Sequence, residues 1–79
     1  MARYFFKLYD RFGQTPDVEG CILHDMAAVR QHALAAARSL MAEDVRSGQL
    51  HLSDYIEVSD DKGEVVLKLP FSGAVTIHS

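Results

Sequence analysis

A single helical pattern, set between short β-type runs, leaves this chain few ways to fold. Residues 26–47 repeat apolar side chains at helical spacing, with Asp25 placed as the N-cap and Gly48 as the stop. At about 100° per residue, Ala36, Val29, Leu40, Ala33, Met26, Ala37, Met41, Leu34 and Val45 share one arc of roughly 180°. Arg38, Gln31, Arg46, Ser39, His32 and Glu43 occupy the other side. A helix resting on one sheet needs a stripe of about 100° or somewhat more. The extra width predicts either a second partner surface or a core edge at Leu34 and Val45. Ala33, Ala36 and Ala37 permit close backbone approach. Arg30 and Asp44 also fall inside the arc. Asp44 opposes the helix dipole unless paired, and its expected counter-charge is Lys68 or a group across an interface.

The flanking runs supply a sheet. Residues 3–9 alternate, with Tyr4, Phe6 and Leu8 on the core face and Arg3, Phe5, Lys7 and Tyr9 on the outer one. Phe5 and Tyr9 leave that outer face partly apolar, a second pointer to a covered surface. Residues 10–17 read as a loop, with Gly13 at a positive φ. Residues 18–23 form a weaker strand, hairpinned to the first, with Gly20 at a bulge or close contact and Ile22 in the core. After the helix, residues 48–54 form a linker anchored by Leu50 and Leu52. Residues 55–59 are a third strand, with Ile56 and Val58 aligned. Asp60-Asp61-Lys62-Gly63 is a hairpin turn. Residues 64–69 are the fourth strand: Val65, Leu67 and Leu69 face one side, and Glu64, Val66 and Lys68 the other. Residues 74–77 add a short strand or fold over the core. The predicted architecture is α+β, in the order β-β-α-β-β. One helix covers a four-stranded antiparallel sheet, and residues 1–79 make a single domain. The expected strand order is 2-1-4-3, which centres the two most apolar strands.

Composition narrows the setting. Hydrophobic residues make up 48% of the 79, normal for a folded chain. A domain this small leans on oligomerisation, metals or disulfides. Cys21 is the single cysteine, so no intrachain disulfide forms, which fits a reducing cytoplasm. No secretory signal is expected, because Lys7 and Asp10 interrupt the apolar run at Tyr4-Phe5-Phe6. No run approaches the roughly 18 apolar residues of a membrane span. Net charge is −3, with two basic and five acidic side chains in the last 30 residues. Arg30, Arg38 and Arg46 are spaced by eight and form no stripe, so direct nucleic-acid binding is not expected.

Sites for chemistry are sparse. Cys21 and His24 are three apart and fall on opposite faces of a strand. His24, His32, His51 and His78 include no pair at metal-ligand spacing. Asp54, Asp60 and Asp61 lack the spacing of a calcium loop. There is no phosphate-binding or dinucleotide motif. No catalytic residue, metal site or cofactor is assigned, and the chain is expected not to be an enzyme.

Several ordered pieces carry a resemblance. They are Arg3-Tyr4-Phe5-Phe6, Asp10 with Gly13, Asp17-Val18-Glu19-Gly20, Leu23-His24-Asp25 before the Ala-rich helix, Ala42-Glu43-Asp44-Val45-Arg46-Ser47-Gly48 and Leu69-Pro70-Phe71. In these the chain resembles a family of short bacterial proteins, common in alphaproteobacteria and known as a domain of unknown function. That resemblance implies no activity and no catalytic residues. The first half, through Pro16-Asp17-Val18-Glu19-Gly20-Cys21 and the helix, also resembles HicB-type antitoxins. The second half departs from them and lacks their usual DNA-binding segment.

The expected function is a non-enzymatic protein-interaction module that self-associates as a homodimer, with Phe5, Tyr9, Leu34 and Val45 at its interface. The alternative is a HicB-like neutraliser that meets a basic partner protein through Glu57, Asp60, Asp61 and Glu64. A metal or small-ligand sensor would rest on the histidines alone.

Overall fold

The first strand, β1 (Ala2–Asp10), is paired along both edges in the computed structural model of the chain, which describes residues 1–17, 19–76 and 78. Two short segments share one edge. β2 (Gly13–Thr15) pairs with its C-terminal end, Leu8↔Thr15 to Asp10↔Gly13. β3 (Cys21–Leu23) pairs with its N-terminal end, Ala2↔Leu23 to Tyr4↔Cys21. β4 (Tyr55–Ser59) lies along the other edge, from Phe5↔Ser59 to Tyr9↔Tyr55, and β5 (Val65–Pro70) lies beyond it. All pairs are antiparallel. The α+β class and the single helix on an antiparallel sheet are as the sequence predicts. The sheet has five strands rather than four: residues 13–15 of the expected 10–17 loop pair with β1 as β2, and of the expected 18–23 strand, whose residue 18 lies outside the described residues, Cys21–Leu23 pairs as β3.

The helix α1 (Met26–Arg46) begins and ends on its predicted caps. Asp25 Oδ1 accepts from the Ala28 amide at 2.8 Å, satisfying one of the orphan donors of the first turn. Gly48 sits at φ +82°, its amide donates to Val45 O at 2.9 Å, and Gln49 N donates to Asp44 O at 3.0 Å. That pair of bonds is a Schellman closure, and its left-handed residue needs glycine.

The strand order differs from the expected 2-1-4-3: residues 55–59, not 64–69, lie beside the first strand. Direction decides this. β3 runs opposite to β1, and one helix about 30 Å long returns the chain across the sheet. β4 therefore runs antiparallel to β1, and β5 parallel to it. Only β4 can then join β1 in an antiparallel pair, whatever the apolarity of β5.

The core lies between α1 and one sheet face. Val29, Ala33, Ala37 and Met41 form the buried stripe of the helix, at spacing i, i+4. They meet Ile56, Val58 and Leu69, with Tyr4, Phe6, Leu8, Leu23 and Leu67 half-buried around them. Val65 and Val66 exchange their expected roles. The β4–β5 register slips between Val58 and Ser59, so Val65 pairs with Ser59 on the outer face at 52% exposed, and Val66 packs against the core. One extra residue in a strand reverses the face of those beyond it. Ile22 is likewise not core: it pairs with Arg3 on the outer face, and Cys21 and Leu23 share the inner face with Tyr4 and Ala2. Leu50 is exposed, so Leu52 alone anchors the linker. Past β5 a 3-10 turn, Phe71–Gly73, buries Phe71 and Ala74 over the core, and Arg38 Nε donates to Ala74 O at 2.8 Å. The end of the predicted 74–77 element, residue 77, lies outside the described residues.

Candidate interaction surface and an acidic cleft

Alternation places Arg3, Phe5, Lys7 and Tyr9 of β1 on the sheet face away from the helix, and cross-strand register adds Ile22, Ser59, Glu57, Tyr55, Val65 and Lys68. These side chains form rows across the strands. Phe5, Ser59 and Val65 make one row, Lys7, Glu57 and Lys68 the next, and Gln14, Tyr9, Tyr55 and Pro70 a third. The Tyr9 and Tyr55 rings stack at 4.7 Å between centroids. The Lys68 ammonium stands 4.4 Å from the Tyr55 ring centre, and Tyr9 donates its hydroxyl to Glu57 Oε1 at 3.4 Å. The surface is a pre-ordered aromatic and charged platform that stays half-exposed or exposed.

The four expected interface residues do not come together. Phe5 and Tyr9 lie on this platform. Leu34 is half-buried against the core on the helix side, and Val45 is 57% exposed near the helix end. The four expected partner-facing acids also divide. Glu57 is in the central row, between Lys7 and Lys68. The Asp60 carboxylate is taken up by its own turn, where Oδ1 accepts from Lys62 N and Glu64 N, each at 2.9 Å. Asp61 and Glu64 are exposed. Cys21 is half-buried, His24 is exposed beyond β3, and the His32 ring lies 4.6 Å from that of Phe6. Among the described residues, no group of three or more His, Cys, Asp or Glu side chains is arranged to hold a metal ion.

A second feature lies at the end of the sheet, where the β1–β2 turn, the C-terminal half of α1 and the loop before β4 meet. Two adjoining hollows, of ≈ 250 and ≈ 170 Å³, share Asp10, Arg11 and Asp54 in their walls. The larger adds Tyr9, Ser53 and Tyr55, and the smaller adds Asp44, His51, Leu8, Leu40, Phe12 and Phe71. Asp54 is buried, 7% exposed, because its carbonyl receives Phe71 N at 2.8 Å and so holds the 3-10 turn over it. Burial, with Asp10 and Asp44 nearby, pushes its pKa above the usual carboxylate range. Arg11 and His51 act against this shift from the cleft wall, though neither bonds the carboxylate: the Arg11 guanidinium contacts His51 and reaches Gln49 Oε1 at 3.3 Å, lying 4.4 Å over the Phe12 ring. Asp44 lines this cleft, while its expected counter-charge, Lys68, is on the far face of the sheet over Tyr55. Sequence reasoning set Asp54 beside Asp60 and Asp61. Its flanks, Leu52 and Tyr55, were the signal that this acid enters the fold while the turn acids stay outside it.

Residues 3–72 match the family model described as Domain of unknown function (DUF6894). The chain belongs to this family. No curated protein and no solved structure matches it.

In this DUF6894 chain Asp17 and Gly20 form a strand-edge device. Between the stretches paired with β3 and β2, the Phe6 amide has no strand partner; Asp17 Oδ2 accepts from it at 3.3 Å, while Oδ1 accepts from Gly20 N at 3.0 Å. Burial acts to raise the Asp17 pKa, but the backbone donors outweigh it, and the carboxyl titrates below its usual range. Among the described residues no helix of the domain is long and apolar enough to cross a membrane.

Proposed function

We propose that this domain is a non-enzymatic protein-interaction module that pairs with a second copy of itself through the open sheet face. The observation that carries the reading is the Lys7–Glu57 register pair at the centre of the platform, flanked by the Phe5–Ser59–Val65 row on one side and the Tyr9–Tyr55 row on the other. A two-fold axis running between β1 and β4, parallel to the strands, sets Lys7 opposite Glu57 of the second copy, and Glu57 opposite Lys7. It also lays Tyr9 and Tyr55 on Tyr55 and Tyr9, so the surface is complementary to itself in charge. Such a contact buries Phe5 and the Tyr9–Tyr55 pair of a domain too small to have much core of its own.

A charge swap tests this by sedimentation equilibrium. The wild-type chain is expected to dimerise. Lys7→Glu and Glu57→Lys are each expected to shift it to monomer, because each sets like charges opposite one another, and the double variant restores the dimer. A wild-type monomer at every concentration, or single variants that dimerise unchanged, would overturn the proposal. The neutraliser reading draws on Asp61 and Glu64, which remain exposed, but Asp60 is used by its turn and Glu57 lies between two lysines. A stoichiometric basic protein co-purifying from the native host, released by Asp61→Lys and Glu64→Lys, would favour it instead.

A further inference from the structure

One nitrogen in the loop before β4 has two neighbours that require opposite things of it. His51 Nε2 is in contact with the Arg11 guanidinium and stands 3.1 Å from Gln49 Oε1. A guanidinium only donates, so Arg11 can bond this nitrogen only where it carries no proton. The Gln49 oxygen only accepts, so it can bond the same nitrogen only where the proton is present. Arg11 Nη2 donates to that oxygen at 3.3 Å, which fixes the orientation of the Gln49 amide. The two contacts of Nε2 therefore belong to different states of the ring. In the neutral ring with its proton on Nδ1, Nε2 accepts from Arg11. Once a solvent proton is added, Nε2–H donates to Gln49 Oε1, and the positive ring repels the guanidinium.

Imidazole changes charge nearer neutrality than any other unperturbed side chain. The charged groups that face His51 across the smaller hollow are Asp10 and Arg11 from the β1–β2 turn, Asp44 from α1 and Asp54 from its own loop. The three acids favour the protonated ring, and Arg11 opposes it. Among the described residues, Arg11 makes the only hydrogen bonds between the β1–β2 turn and residues 48–54. That loop is braced elsewhere, since Phe71 N donates to Asp54 O at 2.8 Å and Ser72 N to Leu52 O at 3.3 Å. Apart from Arg11 the turn is held from within, by the Asp10↔Gly13 pair and by Asp10 Oδ1 accepting from Phe12 N. Phe12, at its tip, is 82% exposed, with the Arg11 guanidinium over its ring. We propose that His51 is a pH-dependent latch: the neutral ring ties the β1–β2 turn to the loop before β4 through Arg11, and the protonated ring turns to Gln49 and releases the turn with Phe12. The latch lies at the end of the sheet and does not rest on pairing between sheet faces.

NMR of the full chain reads both ends of the latch. Long-range proton–nitrogen spectra of the imidazole are expected to show Nδ1 protonated and Nε2 bare at about pH 8, and both protonated at about pH 5. Over the same range the heteronuclear NOE of the Phe12 and Gly13 amides is expected to fall, with the midpoint of the His51 ring, while the Val58 and Leu69 amides stay unchanged. In Arg11→Ala the ring still titrates, but the Phe12 NOE is expected to be low at both ends of the range, and His51→Ala gives the same low value. A ring protonated on Nε2 alone at about pH 8, a Phe12 NOE that does not follow the ring, or a pH-dependent Phe12 NOE that persists in Arg11→Ala would each overturn the proposal. The first two are read in the unsubstituted chain and do not depend on a variant folding.

Discussion

The Asp17 carboxylate holds the Gly20 amide at 3.0 Å while its other oxygen holds Phe6 N of β1. One side chain thus does what an unbroken strand would have done at this point, and it fastens Gly20 to the β1 edge in the gap between β2 and β3. Gly20 completes the arrangement at φ +75°.

Gly20→Ala is expected to lower unfolding stability by about 2–4 kcal/mol, from left-handed strain together with overpacking. An added Cβ would stand 2.9 Å from Arg3 Cγ, Phe5 Cε1 and Tyr4 O, and the last of these is backbone that cannot swing away. Urea denaturation measures the loss. A variant as stable as the wild type would show that the loop does not press on β1.

Asp17 also makes stability pH-dependent. Its folded pKa lies below the usual carboxylate value, so its contribution is present above that value and is lost as pH falls through the depressed folded pKa. Asp17→Asn is expected to cost about 1–2 kcal/mol at neutral pH. It should also flatten the acid limb of the stability curve below about pH 4, near the ordinary carboxylate pKa. Denaturation midpoints across a pH series would show a parallel acid limb if the carboxylate were not charged in the fold.

Asp54 acts with the opposite sign. Its folded pKa is raised, so its ionisation penalises the folded state as pH climbs from the ordinary carboxylate value through the raised one. Asp54→Asn is expected to raise the melting temperature at pH 7, with the advantage shrinking to nothing as pH falls below the ordinary value. Calorimetry at both ends of that range is the check, and a lower melting temperature at pH 7 would show the charge to be compensated.

The helix should tolerate change very unevenly. Ala37 is fully buried where α1 meets the sheet, and Ala37→Leu is expected to cost about 1–3 kcal/mol or more by overpacking. Val45 is 57% exposed, and Val45→Ser should change stability by less than about 0.5 kcal/mol and leave the oligomeric state unaltered. A dissociated dimer in Val45→Ser would move the interface from the sheet to the helix.

Both caps of α1, the inward faces of residues 3–9 and 55–59, and the Asp60 turn were legible in the sequence, because each depends on interactions within a few residues. Asp25 reaches Ala28, Gly48 reaches Val45, and alternation needs only the strand itself. The sequence could not settle Val65 against Val66, since a slip of one residue in register, invisible in composition, reverses the face presented, nor Ile22 against its neighbours, whose face is set by pairing with Arg3, distant in the sequence. It also could not settle strand order: apolarity argued for β5 at the centre, while the single helical return permitted only β4. The Asp54 cleft is tertiary in origin as well. Its three acids lie at positions 10, 44 and 54, and only the folding of the β1–β2 turn, the helix end and the loop onto one another makes them neighbours. Local hydrogen bonds and periodicity are written in adjacent residues, whereas register, strand direction and charge clustering arise where distant segments meet.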